Sequence, residues 1–519
     1  MLLATRDMIR EIDEYAERVQ GISPEILMQN AGLAAASQIL EMLDRPVKIV
    51  VLCGKGKNGG DGYVIASELW EYKCEITVFE HKNVHRDAAS SYHRARAKKK
   101  IKDIYPLTDT EKLSEACKSA EIIIDALFGV GFHGDMPAPE ANAIRIANAT
   151  SALKIAVDIP SGADSDMGGV AEVCFAADHT MTMAYVKRGM LLYPAREYCG
   201  RISVCDIGVD REAIEQRMDF SCSVVGEDEI KKYVLARPKD SHKGTFGRLM
   251  LICGSDTMTG AAILACEGAL RMGVGLCELV CTERVAAAVS SVCPEVIYTV
   301  VPPLCEWNEA VFEKLVLHSV EAQAIVIGCG MGQDENAQKL IRLLSSIAGC
   351  PMLVDADGLN SLDGRVKILA NSQREIVVTP HPKEFARLVF CDIKEVQKDK
   401  YRVCERLSEG CALTVLLKGA STVVCAKDGK RYINTTGNSG LAKGGSGDVL
   451  SGIIGALLAR GVPSGMAAAL GAHIHGAAAD ALREELTETG MLPRDIPTAA
   501  ARYLSKVAKN LRVRSTPDN

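Results

Sequence analysis

Apolar residues recur along this chain in short blocks, too brief for buried helices and too continuous for exposed loops. In the first half they cover residues 47–53, 75–79, 122–126, 154–159 and 179–183, and each block reads as a strand buried on both faces. Between them apolar residues return every three to four positions, the helical period. The opening helix is an example: Thr5 can cap it, and Met8, Ile9, Ile12, Ala16 and Val19 share one face. Strand alternating with helix predicts a mainly parallel sheet covered on both faces, with ligands held by loops at the carboxyl ends of strands.

The pattern weakens after about Gly208, and residues 210–237 mix charges with short apolar runs, as a junction would. A second series of strands follows at 248–253, 277–281, 324–328, 352–355, 376–379, 414–418 and 422–426. Stretches 449–460 and 467–482 are rich in small residues and read as closely packed helices. The expected organisation is α/β throughout, with one domain over 1–215, a junction over 216–229 and a second domain over 230–510.

Composition narrows the class. Hydrophobic residues make up 48% of the 519 positions and charged residues 24%, with no apolar run long enough to span a membrane. The chain starts with an early charge and no signal-peptide pattern, so a cytoplasmic location is expected. A net charge of −6 argues against a general nucleic-acid binder, and the basic run of Arg94, Arg96, Lys98, Lys99, Lys100 and Lys102 reads as a solvated helix face. The nineteen cysteines are dispersed, without a CxxC pair, and are expected to be reduced core thiols.

Two groups of motifs carry chemistry. In the first half, a strand runs into Gly54-Lys55-Gly56-Lys57-Asn58-Gly59-Gly60-Asp61-Gly62 and then a helix, an order suited to a phosphate-bearing ligand. Asp125, Asp158 and Ser161 lie at the ends of further strands and would meet Asn58 along the same sheet edge. Their oxygens suit a hard cation, and a carboxylate there suits proton transfer. In the second half, Gly437–Gly447 places five glycines before Asp448 at the start of an apolar helix. Backbone N–H groups and the helix terminus favour an anion there, and Asp448 is the natural base. The turns Gly328–Gly332, Asp355–Asn360, Thr379–Phe385 and Lys418–Thr422 all follow strands, so together they describe a nucleotide-handling cleft. His473 and His475 are two apart on a helix, off the spacing that pairs ligands on one face, and no zinc site is expected.

Over about residues 1–215 these motifs resemble the YjeF amino-terminal family, which includes NAD(P)H-hydrate epimerases. Over about 230–510 they resemble the YjeF carboxyl-terminal family of ADP- or ATP-dependent NAD(P)H-hydrate dehydratases. The resemblance implies two three-layer domains, one Rossmann-like and one ribokinase-like. In the first it implies Asn58, Asp125 and Ser161 as potassium ligands and Asp158 as acid/base, with Lys187 beside it. Substrate contacts would come from Lys57, Asn58, Gly59, Gly60 and Asp61 and from Gly129, Val130, Gly131, Phe132, His133, Gly134 and Asp135. In the second, Lys418, Gly419, Ala420, Ser421, Thr422 and Gly447 would contact the adenine nucleotide. Ala261, Gly332, His381 and Asp448 would contact the hydrated cofactor, the lesser alternative for His381 being a loop histidine bonded to backbone. The common GPGLG and HPGE patterns read Gly328-Cys329-Gly330-Met331-Gly332 and His381-Pro382-Lys383-Glu384 here.

The expectation is a bifunctional enzyme in a homo-oligomer. It would epimerise R and S NADHX or NADPHX and dehydrate the S form with ADP, or ATP, and magnesium. Its nearest rival is a ribokinase-like small-molecule kinase with an amino-terminal binding domain, which leaves the first half's carboxylates without a role. A non-enzymatic scaffold is a third reading, and intact Asp158 and Asp448 argue against it.

Overall fold

The computed structural model describes residues 1–81, 87–347 and 349–515. The chain divides into two compact units, Leu2–Cys222 and the residues from Ser223 onward together with Met1.

The first unit is built on a seven-stranded parallel sheet. Its strands in spatial order are Ile104–Pro106, Glu75–Glu80, Lys48–Cys53, Ile122–Ala126, Leu153–Val157, His179–Met183 and Arg201–Cys205. Successive side chains on a strand point to opposite faces. Accordingly Ile49, Val51 and Cys53 join a core cluster with helices Arg6–Arg18, Pro24–Leu40 and Lys57–Glu71. Val50 and Leu52 join another with helices Thr110–Ser119 and Ala138–Asn148. Both faces are therefore covered, which is why these strands read as unbroken apolar runs. Thr5 caps the first helix, its hydroxyl accepting from the Met8 N–H at 3.2 Å.

In the second unit the strands run, in spatial order, Arg431–Ile433, Val423–Cys425, Thr414–Leu417, Ile376–Val378, Met352–Val354, Ala324–Ile327, Arg248–Ile252, Leu276–Cys281 and Ile297–Val300. Pairing is parallel from Thr414–Leu417 to Ile297–Val300 and antiparallel at the other end. Helices Thr259–Arg271, Ser446–Ala459 and Ser464–Gly490 pack with it in one continuous core, the last interrupted at Thr487 with φ +60°.

The sequence pattern leaves out Ile104–Pro106, Arg201–Cys205, Ile297–Val300 and Arg431–Ile433. The first three are edge strands with partly exposed side chains, and the last contains Arg431, buried against Glu405 and Glu409. The basic run is also less solvated than expected: on helix Ala88–Lys100, Arg94 forks onto Glu80, Lys98 joins it, and Lys100 pairs with Glu71. All nineteen cysteines are free thiols, most of them buried.

Candidate active sites

In the first unit, two adjacent strand ends supply the carboxylates. Strand Leu153–Val157 stops at Asp158, whose φ of +69° is uncommon for a residue with a side chain and is better tolerated by Asp than by most. One carboxylate oxygen of Asp158 accepts from the Lys187 ammonium, the other from the Val130 N–H at 3.1 Å. Lys187 is completely buried and gives its remaining N–H groups to the Thr182 hydroxyl at 2.8 Å and the Met183 carbonyl at 3.0 Å. With its donors taken, Lys187 orients Asp158 and neutralises its charge. A Cβ on Gly129 would lie 2.9 Å from the Asp158 carboxylate, so the loop can approach only without a side chain.

Asp125 is fully buried, and both its oxygens are used. One accepts from the Leu127 N–H and the Ser161 hydroxyl, the other from the Ser161 N–H at 2.8 Å. Burial pushes its carboxyl up to about 6, with the Ser161 and Leu127 bonds opposing the rise. Asn58 donates to the Val157 carbonyl at 3.2 Å, but its own carbonyl oxygen is buried without a partner. A buried acceptor left unmatched costs free energy unless something outside the chain meets it. Asp61, further along helix Lys57–Glu71, is held well above the usual carboxylate range by burial and then by Asp158 and Asp13.

The structure thus gathers Asn58, Asp61, Asp125, Asp158, Ser161, Gly129 and Val130. Gly59 and Gly60 complete the helix start, where a Cβ on Gly59 would meet the Gly54 carbonyl at 2.0 Å. Lys57 instead points outward to Asp13 at 3.0 Å, and Gly131, His133, Gly134 and Asp135 are exposed, with the Phe132 ring against Phe128. Sequence reasoning missed Thr182, a buried hydroxyl whose role depends on where Lys187 folds back.

In the second unit, Gly445 takes φ +102° and starts helix Ser446–Ala459, which carries Asp448 in its first turn. Burial and the neighbouring Asp355 push the Asp448 carboxyl up to about 6, while the Cys329 thiol and Lys418 oppose the rise. Asp355 accepts from the Lys418 ammonium at 2.8 Å and from the Ser451 hydroxyl at 2.7 Å. Glu384 lies 3.9 Å from the same ammonium. Burial alone would lower the Lys418 pKa, yet these two carboxylates outweigh it and raise it. Lys418 therefore stands beside Asp355 and Glu384, close to Gly447, where a Cβ would lie 3.4 Å from its nitrogen.

Gly419–Thr422 forms the turn between two antiparallel strands, with the Thr422 hydroxyl donating to the Gly419 carbonyl at 3.0 Å. Across the sheet edge Ala261 abuts Gly330, and Gly332 donates its N–H to Asp357 at 3.0 Å with open space around its Cα. His381 caps helix Pro382–Val389, its Nδ1 accepting from the Lys383 and Glu384 N–H groups at 3.1 and 3.3 Å, so the backbone-bonded alternative holds for that nitrogen. His473 bonds the Tyr503 hydroxyl at 2.9 Å. Asp355, Glu384 and Ser451 were missed as site residues. Ser451 follows Asp448 by three positions, the spacing that shares a helix face, and that was the available signal.

The family described as YjeF-related protein N-terminus matches residues 24–189, and the family described as NAD(P)H-hydrate dehydratase matches 249–502. The bifunctional NAD(P)H-hydrate repair enzyme Nnr of Moorella thermoacetica is 32% identical over 522 residues, covering 98% of this chain and 97% of the relative. The chain belongs to the family of bifunctional NAD(P)H-hydrate repair enzymes. The Escherichia coli member is 32% identical, over 96% of this chain and 93% of its own. Among solved structures, an ADP/ATP-dependent NAD(P)H-hydrate dehydratase from Bacillus subtilis, co-crystallised with ATP and Mg2+, is 31% identical with a TM-score of 0.48, over 55% of this chain and 98% of that one. Within this family the two carboxylate centres correspond to the two matched domains, Asp158 in one and Asp448 in the other.

Proposed function

We propose that the chain repairs hydrated nicotinamide cofactors, the first unit interconverting the R and S forms of NADHX and NADPHX and the second dehydrating the S form. The observation that carries this reading is the presence, in one chain, of two complete and chemically different carboxylate centres. A kinase with a passive first domain gives no reason for the buried Lys187–Asp158 pair.

In the first site Asp158 moves protons at the hydrated ring carbon, and Lys187 holds its charge and direction. Asn58, Asp125 and Ser161 fit a potassium ion: the set is all oxygen, and the Asn58 carbonyl is buried without a partner. The ion would supply positive charge beside the substrate's phosphates.

In the second site hydroxide is too poor a leaving group, so the substrate hydroxyl is first phosphorylated. Asp448 takes its proton, the oxygen bonds to the terminal phosphorus of ADP, and AMP leaves. The ring then expels phosphate and loses a neighbouring proton, which restores the double bond of NADH or NADPH. N–H groups of Gly444–Gly447 stabilise charge on the transferred group. Lys418 is counted with Gly419, Ala420, Ser421, Thr422 and Gly447 as a nucleotide contact, and its positive charge suits the phosphates. Magnesium would accompany the nucleotide and supply positive charge at its phosphates. ATP serves by the same route.

The proposed location is the cytoplasm; among the described residues no helix is long and apolar enough to cross a membrane. Exposed Ile297, Val300, Leu317 and Val320 support association into a homo-oligomer, to be checked by mass in solution. The function is tested by supplying purified S hydrate with ADP or ATP and following absorbance of the reduced nicotinamide. A rise that requires nucleotide is expected, and no rise with either nucleotide overturns the assignment.

A further inference from the structure

Lys400 opens helix Lys400–Cys411, outside every motif recognised in the sequence. Its ammonium donates to the Ala420 carbonyl at 2.7 Å, in the middle of the Gly419–Thr422 turn. The approach is close enough that a Cβ on Gly419 would lie 2.7 Å from the Lys400 nitrogen. Three donors are available on an ammonium, and one carbonyl uses one of them. Among the described residues no carboxylate lies within ion-pairing distance of this group, in contrast to Lys418, which has both Asp355 and Glu384. Burial consequently lowers the Lys400 pKa to about 8, with only the Cys404 thiol opposing the fall. A partly buried cation with spare donors and no counter-charge offers a place for an anion from outside the chain.

We propose that Lys400 is a nucleotide-binding residue of the second site, its ammonium anchored by the Ala420 carbonyl and offering its free N–H groups to the phosphates of the adenine nucleotide. This rests on the nucleotide reading given above. Lys418 is held by Asp355 and Glu384, whereas Lys400, bonded only to the Ala420 carbonyl, has N–H groups left for the phosphates.

The test compares the intact parent, Lys400→Met and Lys400→Arg in three measurements: the KM for ADP, the KM for the S hydrate, and inhibition by adenosine, which lacks phosphate. Loss of one charge-assisted contact is expected to raise the ADP KM about tenfold in Lys400→Met. The hydrate KM and the adenosine inhibition constant should stay near parental values, and Lys400→Arg should recover most of the loss. Parental ADP affinity in Lys400→Met overturns the proposal. So does an equal weakening of ADP and adenosine, because a purely structural latch would disturb both. A parent chain that shows no response to ADP or ATP overturns the nucleotide reading itself, and this inference falls with it.

Discussion

In the mechanism proposed above Asp448 is the base of dehydration, and its environment sets a testable pH dependence. A base must be ionised to accept a proton, and burial with Asp355 beside it holds the Asp448 carboxyl at about 6. The ionised fraction is therefore nearly complete at pH 8 and falls as pH drops through 6. The kcat/KM of dehydration should decline below about pH 6, approaching tenfold for each further unit. Asp448→Asn keeps the side-chain size and removes the basic oxygen, so the rate should fall about a hundredfold or more and lose that pH dependence. A profile of the parent that stays level from pH 8 to 5 would remove Asp448 from the role of base. Asp158 illustrates a different use of environment: its charge is met by a fully buried lysine, and its φ of +69° turns the carboxylate off the strand.

At the scale of elements, the helix that delivers Asp448 is held by close backbone contact. A Cβ on Gly452 would lie 2.0 Å from the Ala265 carbonyl, and one on Gly268 would lie 2.5 Å from the Val449 carbonyl, so helices Ser446–Ala459 and Thr259–Arg271 meet through glycines on both sides. Gly452→Ala places a methyl group where backbone already lies. Overpacking of this kind costs about 1–3 kcal/mol, and the heat-inactivation midpoint of dehydration should drop by several degrees, ahead of any change in epimerisation. An unchanged midpoint would mean that the helices part without cost. These elements also show what the sequence made legible. Long apolar runs such as Lys48–Cys53 announced themselves because both faces are buried, and glycine-rich turns announced the loops at the strand ends and helix starts. Edge strands such as Arg201–Cys205 did not, because partial exposure dilutes the pattern. Asp355 and Glu384 stood inside recognised turns, but their pairing with Lys418 spans separate strands, and residue spacing along the chain carries no trace of it.

At the scale of the whole molecule, each centre is complete within its own unit. Asn58, Asp125, Asp158, Ser161, Thr182 and Lys187 belong to Leu2–Cys222, while Asp355, Glu384, Lys400, Lys418 and Asp448 all follow Ser223. Neither set needs a side chain from the other to make the contacts described. Single carboxylate changes should therefore separate the two activities. Asp158→Asn should slow R-to-S conversion yet still repair supplied S hydrate, and Asp448→Asn should epimerise without producing reduced cofactor. Because the S hydrate is a diffusible intermediate in this scheme, mixing the two folded variants should restore the repair of R hydrate in the presence of ADP. The measurement is reduced nicotinamide formed from purified R hydrate by each variant alone and by an equal mixture. Retained activity of the complementary kind in each variant shows that both are folded. If each variant keeps its remaining activity and the mixture still fails to repair R hydrate, the S form does not pass freely between the two sites, and the view of two self-sufficient centres is wrong.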